Sequence, residues 1–215
     1  MRILAIDGAF GGFSCAVTID RVNKSHESVP AGAALERGLG AICRAVDRAD
    51  LTACDIDRIA VCTGPGSFTG LRVAISYAKS LAQGWRKPLV GINAFDALEV
   101  RTQSVPRLAV ISAKEGIISV RLTLAKRELR ESGRTSQVIA LIADACPPLP
   151  LTVAGAPEDV VAALGERGIL VHTVEAPPAA LAIAELAATH AAAGTLHEVR
   201  ADYGELPPAA VRSAR

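Results

Sequence analysis

Aromatic residues are scarce in this chain: one Trp, two Tyr and four Phe supply 3% of it. Packing must therefore rest on Ala, Val, Leu and Ile, and few ring faces are left on which nucleic-acid bases could stack. A charge excess is missing as well. Lys and Arg number 23 against 22 acids, for a net charge of +1, which gives no electrostatic footprint for autonomous nucleic-acid binding. The five cysteines, Cys15, Cys43, Cys54, Cys62 and Cys146, are odd in number and show no C-x-x-C spacing. This excludes a disulfide framework or zinc site and points to the reducing cytoplasm. No pair of histidines has ligand spacing, since Pro30 stands where a helical partner of His26 would be. Nor is there a run of 18 uncharged apolar residues. Only four apolar residues precede Asp7, too few for a signal peptide, and the richest apolar stretch, Ala179 to Ala193, is broken by Glu185 and His190. It reads as an alanine-rich helix of a chain with no membrane span. What is present is half apolar over 215 residues, enough for one large domain or two small lobes.

The most distinctive stretch runs from Ile59 to Arg72. Ile59 to Cys62 read as a short buried strand, and Val73, Ala74, Tyr77, Ala78 and Leu81 repeat at helical spacing until Gly84. Between them Gly64, Gly66 and Gly70 permit backbone angles and approaches that a side chain would forbid, Pro65 stiffens the turn, and Thr69 is placed to cap the helix. A strand, a glycine turn and a helix N-terminus suit an anion. The known cradles fail on spacing. A P-loop needs four residues between its glycines and then Lys-Ser/Thr, but Gly64 and Gly70 enclose five and Leu71-Arg72 follows. The dinucleotide fingerprint has one residue fewer before its last glycine. A nucleophile elbow would need glycines where Pro65 and Thr69 flank Ser67. A structural turn and an anion site both remain open.

The nine residues Gly64 to Arg72, G-P-G-S-F-T-G-L-R, resemble the signature run of the TsaB (YeaZ) family, and the likeness extends in order and length from Met1 to about Phe95, more faintly beyond. The resemblance implies an α/β, two-lobed actin-like/Hsp70-like (ASKHA, ribonuclease H-like) fold with mixed sheets flanked by helices. It also implies a scaffold role in making threonylcarbamoyladenosine in tRNA, as the non-catalytic partner of TsaD. No cofactor would then be bound by this chain alone, ATP being used by the pathway. TsaD and a TsaE-type ATPase would be the partners, a homodimer would form without them, and tRNA would be met only indirectly.

In chain order, Ile3 to Ile6 and Phe13 to Ile19 form a hairpin, which disfavours a dinucleotide-binding domain. Asp7 follows the first strand, where the family implies a phosphate-facing turn; Gly8 and Ala9 stand in place of its hydroxyl residues, so the turn reads as vestigial. Residues 21 to 30 offer a shortened third strand, with Ser25-His26-Glu27-Ser28 as a polar helix start. The helix from Ala31 to Ala49 is amphipathic, with Leu35, Leu39, Ile42, Cys43 and Val46 on one face; the resemblance makes this face, with the helix after the glycine loop, the TsaD-binding surface. Ala33, Gly38, Gly40, Ala41 and Ala45 leave room for another helix. Leu89 to Ile92 form a strand, Asn93 caps the next helix, and Val100 to Pro106 are the crossing point. Residues 1 to 105 then form the first lobe and 106 to 215 the second. The second opens with a hairpin, Leu108 to Ala113 and Ile117 to Ala125. A charged connector, 126 to 137, leads to the apolar run Val138 to Ala143, strand 151 to 154, helix 158 to 167, strand 169 to 174 and helix 179 to 193. The family's acid is replaced at Ser112, its closing arginine is missing near Tyr203, and a mobile tail is expected after Pro207. The alternative reading, a nucleotide-binding enzyme of the sugar-kinase type, draws on Asp7 and the glycine loop. No triad or metal pair supports a protease.

Overall fold

The computed structural model describes residues 1–102 and 104–204; the tail expected after Pro207 lies outside them. Two five-stranded mixed sheets are built on one plan. In the first, β1 (Arg2–Asp7), β2 (Phe13–Ile19) and β3 (Val22–Val29) form an antiparallel meander, and β4 (Arg58–Gly64) and β5 (Leu89–Asn93) add in parallel, giving the order β3-β2-β1-β4-β5. In the second, β6 (Arg107–Lys114), β7 (Ile117–Thr123) and β8 (Glu128–Arg134) repeat the meander and β9 (Leu151–Ala154) and β10 (Val171–Val174) the parallel pair, in the order β10-β9-β6-β7-β8. The helices follow the same scheme. α1 (Ala34–Arg48) and α2 (Phe68–Trp85) flank β4 as α4 (Thr135–Ala145) and α5 (Glu158–Glu166) flank β9, and each half closes with a short helix, α3 (Ala94–Glu99) and α6 (Ala179–Ala187).

Strand alternation decides which face each helix covers. Leu4, Ile6, Val17, Ile59 and Val61 point to α1 and α2, whereas Ile3, Ala5, Ala60 and Cys62 point to α3 and α6. The first sheet is buried on both faces, and β1 and β4 at its centre read accordingly as continuous apolar runs.

Four sequence expectations are corrected. The segment Ser25-His26-Glu27-Ser28 is not a helix start but the middle of a full-length β3, paired with β2. Its inward residues are polar and are satisfied by α1: the Ser25 hydroxyl donates to the Ala45 carbonyl at 2.5 Å, and Glu27 accepts from Arg44 at 3.0 Å and from Arg48. Polar side chains at the buried positions hid the strand pattern. The charged connector 126–137 holds β8, an edge strand whose outward charges are those of a protected edge. Gly84 does not stop α2, which continues to Trp85 and ends with Arg86 in the left-handed region at φ 55°.

The fourth concerns the lobes. Helix α6 does not stay with the second sheet. Ala182, Ile183, Ala184 and Ala187 pack with Ile3, Ala5, Val90 and Ile92 of the first. The chain then remains there, with the Ala193 amide donating to the Leu89 carbonyl at 2.9 Å and the Asp202 amide to the Thr63 carbonyl at 2.7 Å. A boundary at 105/106 therefore separates the sheets but misplaces residues 179–204.

Between the sheets lies a mixed contact. Ala109, Ile111 and Ala154 join the apolar cluster of the first sheet, and a charged network clamps α3 to β7. Arg121 reaches Asp96 at 2.6 Å and Glu99 at 2.9 Å, Arg107 reaches Glu99 at 2.8 Å, and the Arg121 guanidinium lies 5.4 Å from the centre of the Phe95 ring. Arg121 and Glu99 are both buried. Removing one member of such a pair costs about 3–5 kcal/mol, because the other is left charged in a dry site, whereas replacing both by apolar residues is often neutral. Glu99→Ala is expected to lower the unfolding free energy measured by urea denaturation by an amount in that range, and Glu99→Leu with Arg121→Met to recover most of it.

Candidate functional site

The loop Gly64–Gly70 and the turn Asp7–Gly8–Ala9 come from neighbouring parallel strands and end on the same edge of the sheet, the place where an open α/β sheet offers a ligand site. Here the two turns are packed directly on each other. A Cβ on Gly70 would lie 2.0 Å from the Gly8 carbonyl oxygen, and one on Gly8 would lie 2.2 Å from the Gly70 oxygen. Only two glycines allow this approach. The Ser67 amide donates to the Ala9 carbonyl at 2.9 Å, which fixes Gly66 over Ala9. On the other side, Gly64 has φ 100°, and a Cβ there would meet the Asp202 carbonyl oxygen at 2.1 Å.

The cap of α2 is Ser67, not Thr69. The Ser67 hydroxyl accepts from the Gly70 amide at 3.3 Å and its carbonyl takes the Leu71 amide at 2.9 Å, while Thr69 is exposed. The reason is the turn: the Ala9 contact holds Ser67 extended at φ −54°, ψ 118°, the non-helical geometry a cap needs, so the helix begins one residue later at Phe68. At the next strand end Asn93 caps α3 as its sequence indicates, accepting from the Phe95 amide at 2.9 Å.

Asp7 sits beneath this contact and is 2% exposed. Its Oδ1 accepts from the Ala9 amide at 3.0 Å, and the Cys62 thiol lies beside it. Burial pushes its carboxyl up to about 6, against the lowering effect of those hydrogen bonds. Burial likewise raises Cys62, helped by the Asp7 charge, and pushes Cys15 up to about 12. These thiols are packing residues rather than nucleophiles. An acid enclosed in this way is not presented to a phosphate or metal. Among the described residues, no group of three or more His, Cys, Asp or Glu could hold a metal ion.

The predicted interaction face of α1 divides in two. Ile42 and Val46 belong to the core with Ala41 and Ala45, Ile42 being 1% exposed. Leu35 at 72% and Leu39 at 47% face outward with Cys43, at positions i, i+4 and i+8. The heptad-like pattern merged two stripes of the helix. The small residues do admit a second helix, and it is α2: a Cβ on Gly38 would come within 2.9 Å of the Tyr77 ring, whose hydroxyl donates to the Leu35 carbonyl at 2.7 Å. Phe13 meets the same ring edge-on, with centres 6.0 Å apart.

A feature that sequence reasoning missed lies at the outer start of α2. Phe68 is 56% exposed and packs against Tyr203 with ring centres 4.8 Å apart and planes tilted by 39°, and the Arg72 guanidinium lies 5.2 Å from the Phe68 centre. The spacing Phe68 to Arg72 was visible as i, i+4; the return of Tyr203 was not.

With this geometry in place, comparison with known proteins is decisive. The model of the tRNA N6-adenosine threonylcarbamoyltransferase (TsaD) family matches residues 31–146, and the tRNA threonylcarbamoyladenosine biosynthesis protein TsaB of Escherichia coli is 34% identical over 93 residues, 43% of this chain. The chain belongs to this family, as a TsaB (YeaZ) member. The matched segments span 39% and 40% of the first curated relatives' lengths. YeaZ from Pseudomonas aeruginosa superposes with a TM-score of 0.66 at 21% identity, covering 94% of this chain and 99% of that one. A Bacteroides thetaiotaomicron protein with actin-like ATPase fold gives 0.50 at 9% identity, over 80% of this chain and 90% of that one. The fold is thus the α/β actin-like one expected of a TsaB family member. Within it, the paired turns have closed on themselves.

Because Asp7 binds its proton more tightly folded than unfolded, the stability it contributes is fully present below the unfolded value of 3.8 and is lost as the pH rises through about 6. The loss is about 3 kcal/mol, at 1.36 kcal/mol per unit. Asp7→Asn retains an acceptor for the Ala9 amide and is expected to raise the urea midpoint at pH 8, with little effect at pH 4. Equal effects at both pH values would contradict a buried, reluctant carboxylate.

Proposed function

We propose that this chain is the non-catalytic, positioning subunit of a complex that transfers threonylcarbamoyl to the adenosine beside the tRNA anticodon, and that it binds the catalytic TsaD-type subunit. The observation that carries the reading is the closed pair of turns. In an actin-like fold this strand edge faces nucleotide, but here the Gly8 and Gly70 backbones occupy one another's side-chain space and Asp7 is enclosed. The shape is retained while the groups that would perform phosphate chemistry are turned inward. The same closure speaks against the sugar-kinase alternative.

The partner surface in this reading is the outward stripe Leu35, Leu39 and Cys43 on α1, stiffened from behind by the Phe13–Tyr77 contact. Exposed leucines one turn apart on a helix braced by a second helix suit burial against another helical pair. Without the partner, the stripe would bury itself against a second copy. ATP is consumed elsewhere in the pathway, with a TsaE-type ATPase joining the assembled complex in the cytoplasm. No described helix is long and apolar enough to cross a membrane.

Co-expression with the TsaD-type protein of the same organism tests the surface. Leu39→Asp is expected to abolish co-elution while leaving the melting temperature within a few degrees of wild type, as Leu39 lies outside the core; undiminished co-elution would remove the stripe from the interface. Ile42→Asp, by contrast, is expected to fail to fold. The pathway assignment is tested by depleting the protein and measuring threonylcarbamoyladenosine in bulk tRNA, where an unchanged level would refute it. Calorimetry of the isolated chain with ATP and Mg²⁺ is expected to be silent, and heat of binding would restore the kinase-like reading.

A further inference from the structure

Beside the tilted ring pair Phe68–Tyr203, an open groove of about 350 Å³ runs between α2 and the segment Val199–Tyr203. Its polar lining is Arg72, Ser76 and Lys79 from α2 and Arg200 from the returning segment. Arg72, Ser76 and Lys79 stand at i, i+4 and i+7, so they share one helix face, and the seven-residue step sets the two cations about 10 Å apart along the axis. None of the three cations is in an ion pair among the described residues; Arg200 uses only its Nε, donating to the His197 carbonyl at 3.2 Å. Among the described residues no Asp or Glu lines the groove, and the nearest acids in sequence turn to backbone amides of their own segment. Glu198 accepts from the Gly194 amide at 2.9 Å, and Asp202 from the Gly204 amide at 2.9 Å. The lining therefore has one sign of charge, although the chain as a whole is almost neutral.

We infer that this groove binds a single-stranded RNA segment, with successive phosphates on Arg72, Lys79 and Arg200 and a base on the exposed Phe68–Tyr203 pair. A single phosphate would be served by one or two converging donors, whereas cations spread along an open groove fit a chain of phosphates. The rings supply the second half of the recognition. Two of the chain's seven aromatic residues are spent on a tilted surface pair at the groove's end, whose exposed ring surface offers a planar base an apolar contact. A duplex would not offer a free base face. The site is separate from the α1 stripe and its chemistry stands without the partner reading above, but it revises the expectation that RNA is met only indirectly: net charge describes the whole surface, not one groove.

Fluorescence anisotropy of the full chain with labelled single-stranded RNAs of about 12 nucleotides, within the range of known single-strand sites, tests this. Binding is expected to weaken with salt at a log–log slope of about −2, from about 0.7 per phosphate for three cations. Arg72→Glu with Lys79→Glu should weaken it at least about tenfold and flatten that slope. Phe68→Ala, at an exposed position that leaves the fold intact by circular dichroism, should weaken single strands severalfold while keeping the slope. Absence of binding, indifference to the charge reversals, equal affinity for an RNA duplex, or full competition by free ATP at equal concentration would each overturn the proposal. Co-elution of Leu39→Asp with the TsaD-type subunit reads α1, whereas anisotropy of the isolated chain reads the α2 groove, so either idea can fail alone.

Discussion

The contact between the Gly8 and Gly70 backbones is the constraint on which the rest of the molecule depends. It joins the end of β1 to the start of α2, and so fixes the angle at which α2 leaves the sheet. That angle places Ala74, Ala78 and Ala82 against β1 and β4 and brings Tyr77 over Gly38. The position of α1 follows from α2, and the outward set of Leu35 and Leu39 follows from α1. A side chain at either glycine would push the two turns apart by more than an ångström, and close-packed interiors transmit such shifts rather than absorb them. The signature loop is therefore better described as a hinge pin than as a cradle.

This view accounts for what the sequence made legible. The hairpin β1–β2, the strand–loop–helix at 58–85 and the cap at Asn93 are local features with strong patterning, and they emerge directly from apolar period and turn chemistry. The elements that were misread share a different property: their pattern is completed by residues far away. β3 carries Ser25 and Glu27 at inward positions because α1 supplies their partners. β8 is charged because it is an edge. The cap moved from Thr69 to Ser67 because Ala9, nearly sixty positions earlier, sets the backbone at the loop.

The same distinction runs through the site. The glycines were visible, but not that they serve each other; α1 was visibly amphipathic, but apolar spacing alone did not separate the residues held in the core from those left outside. Tyr203 carried a faint family likeness, yet nothing local indicated that it would end beside Phe68. Long-range returns of the chain are what single-sequence patterning does not encode.

The return of residues 179–204 to the first sheet has a consequence for how the protein is made. One face of that sheet is covered only in part, by α3, until α6 arrives, and the Gly64 turn lacks its Asp202 neighbour until later still. During synthesis, the segment that holds the first sheet lacks the α6 side of the cluster around Ile3, Ala5, Val90 and Ile92 until the whole second sheet has been made. The packing of the first sheet is thus completed only by the C-terminal part of the chain, which couples the two sheets into one folding unit.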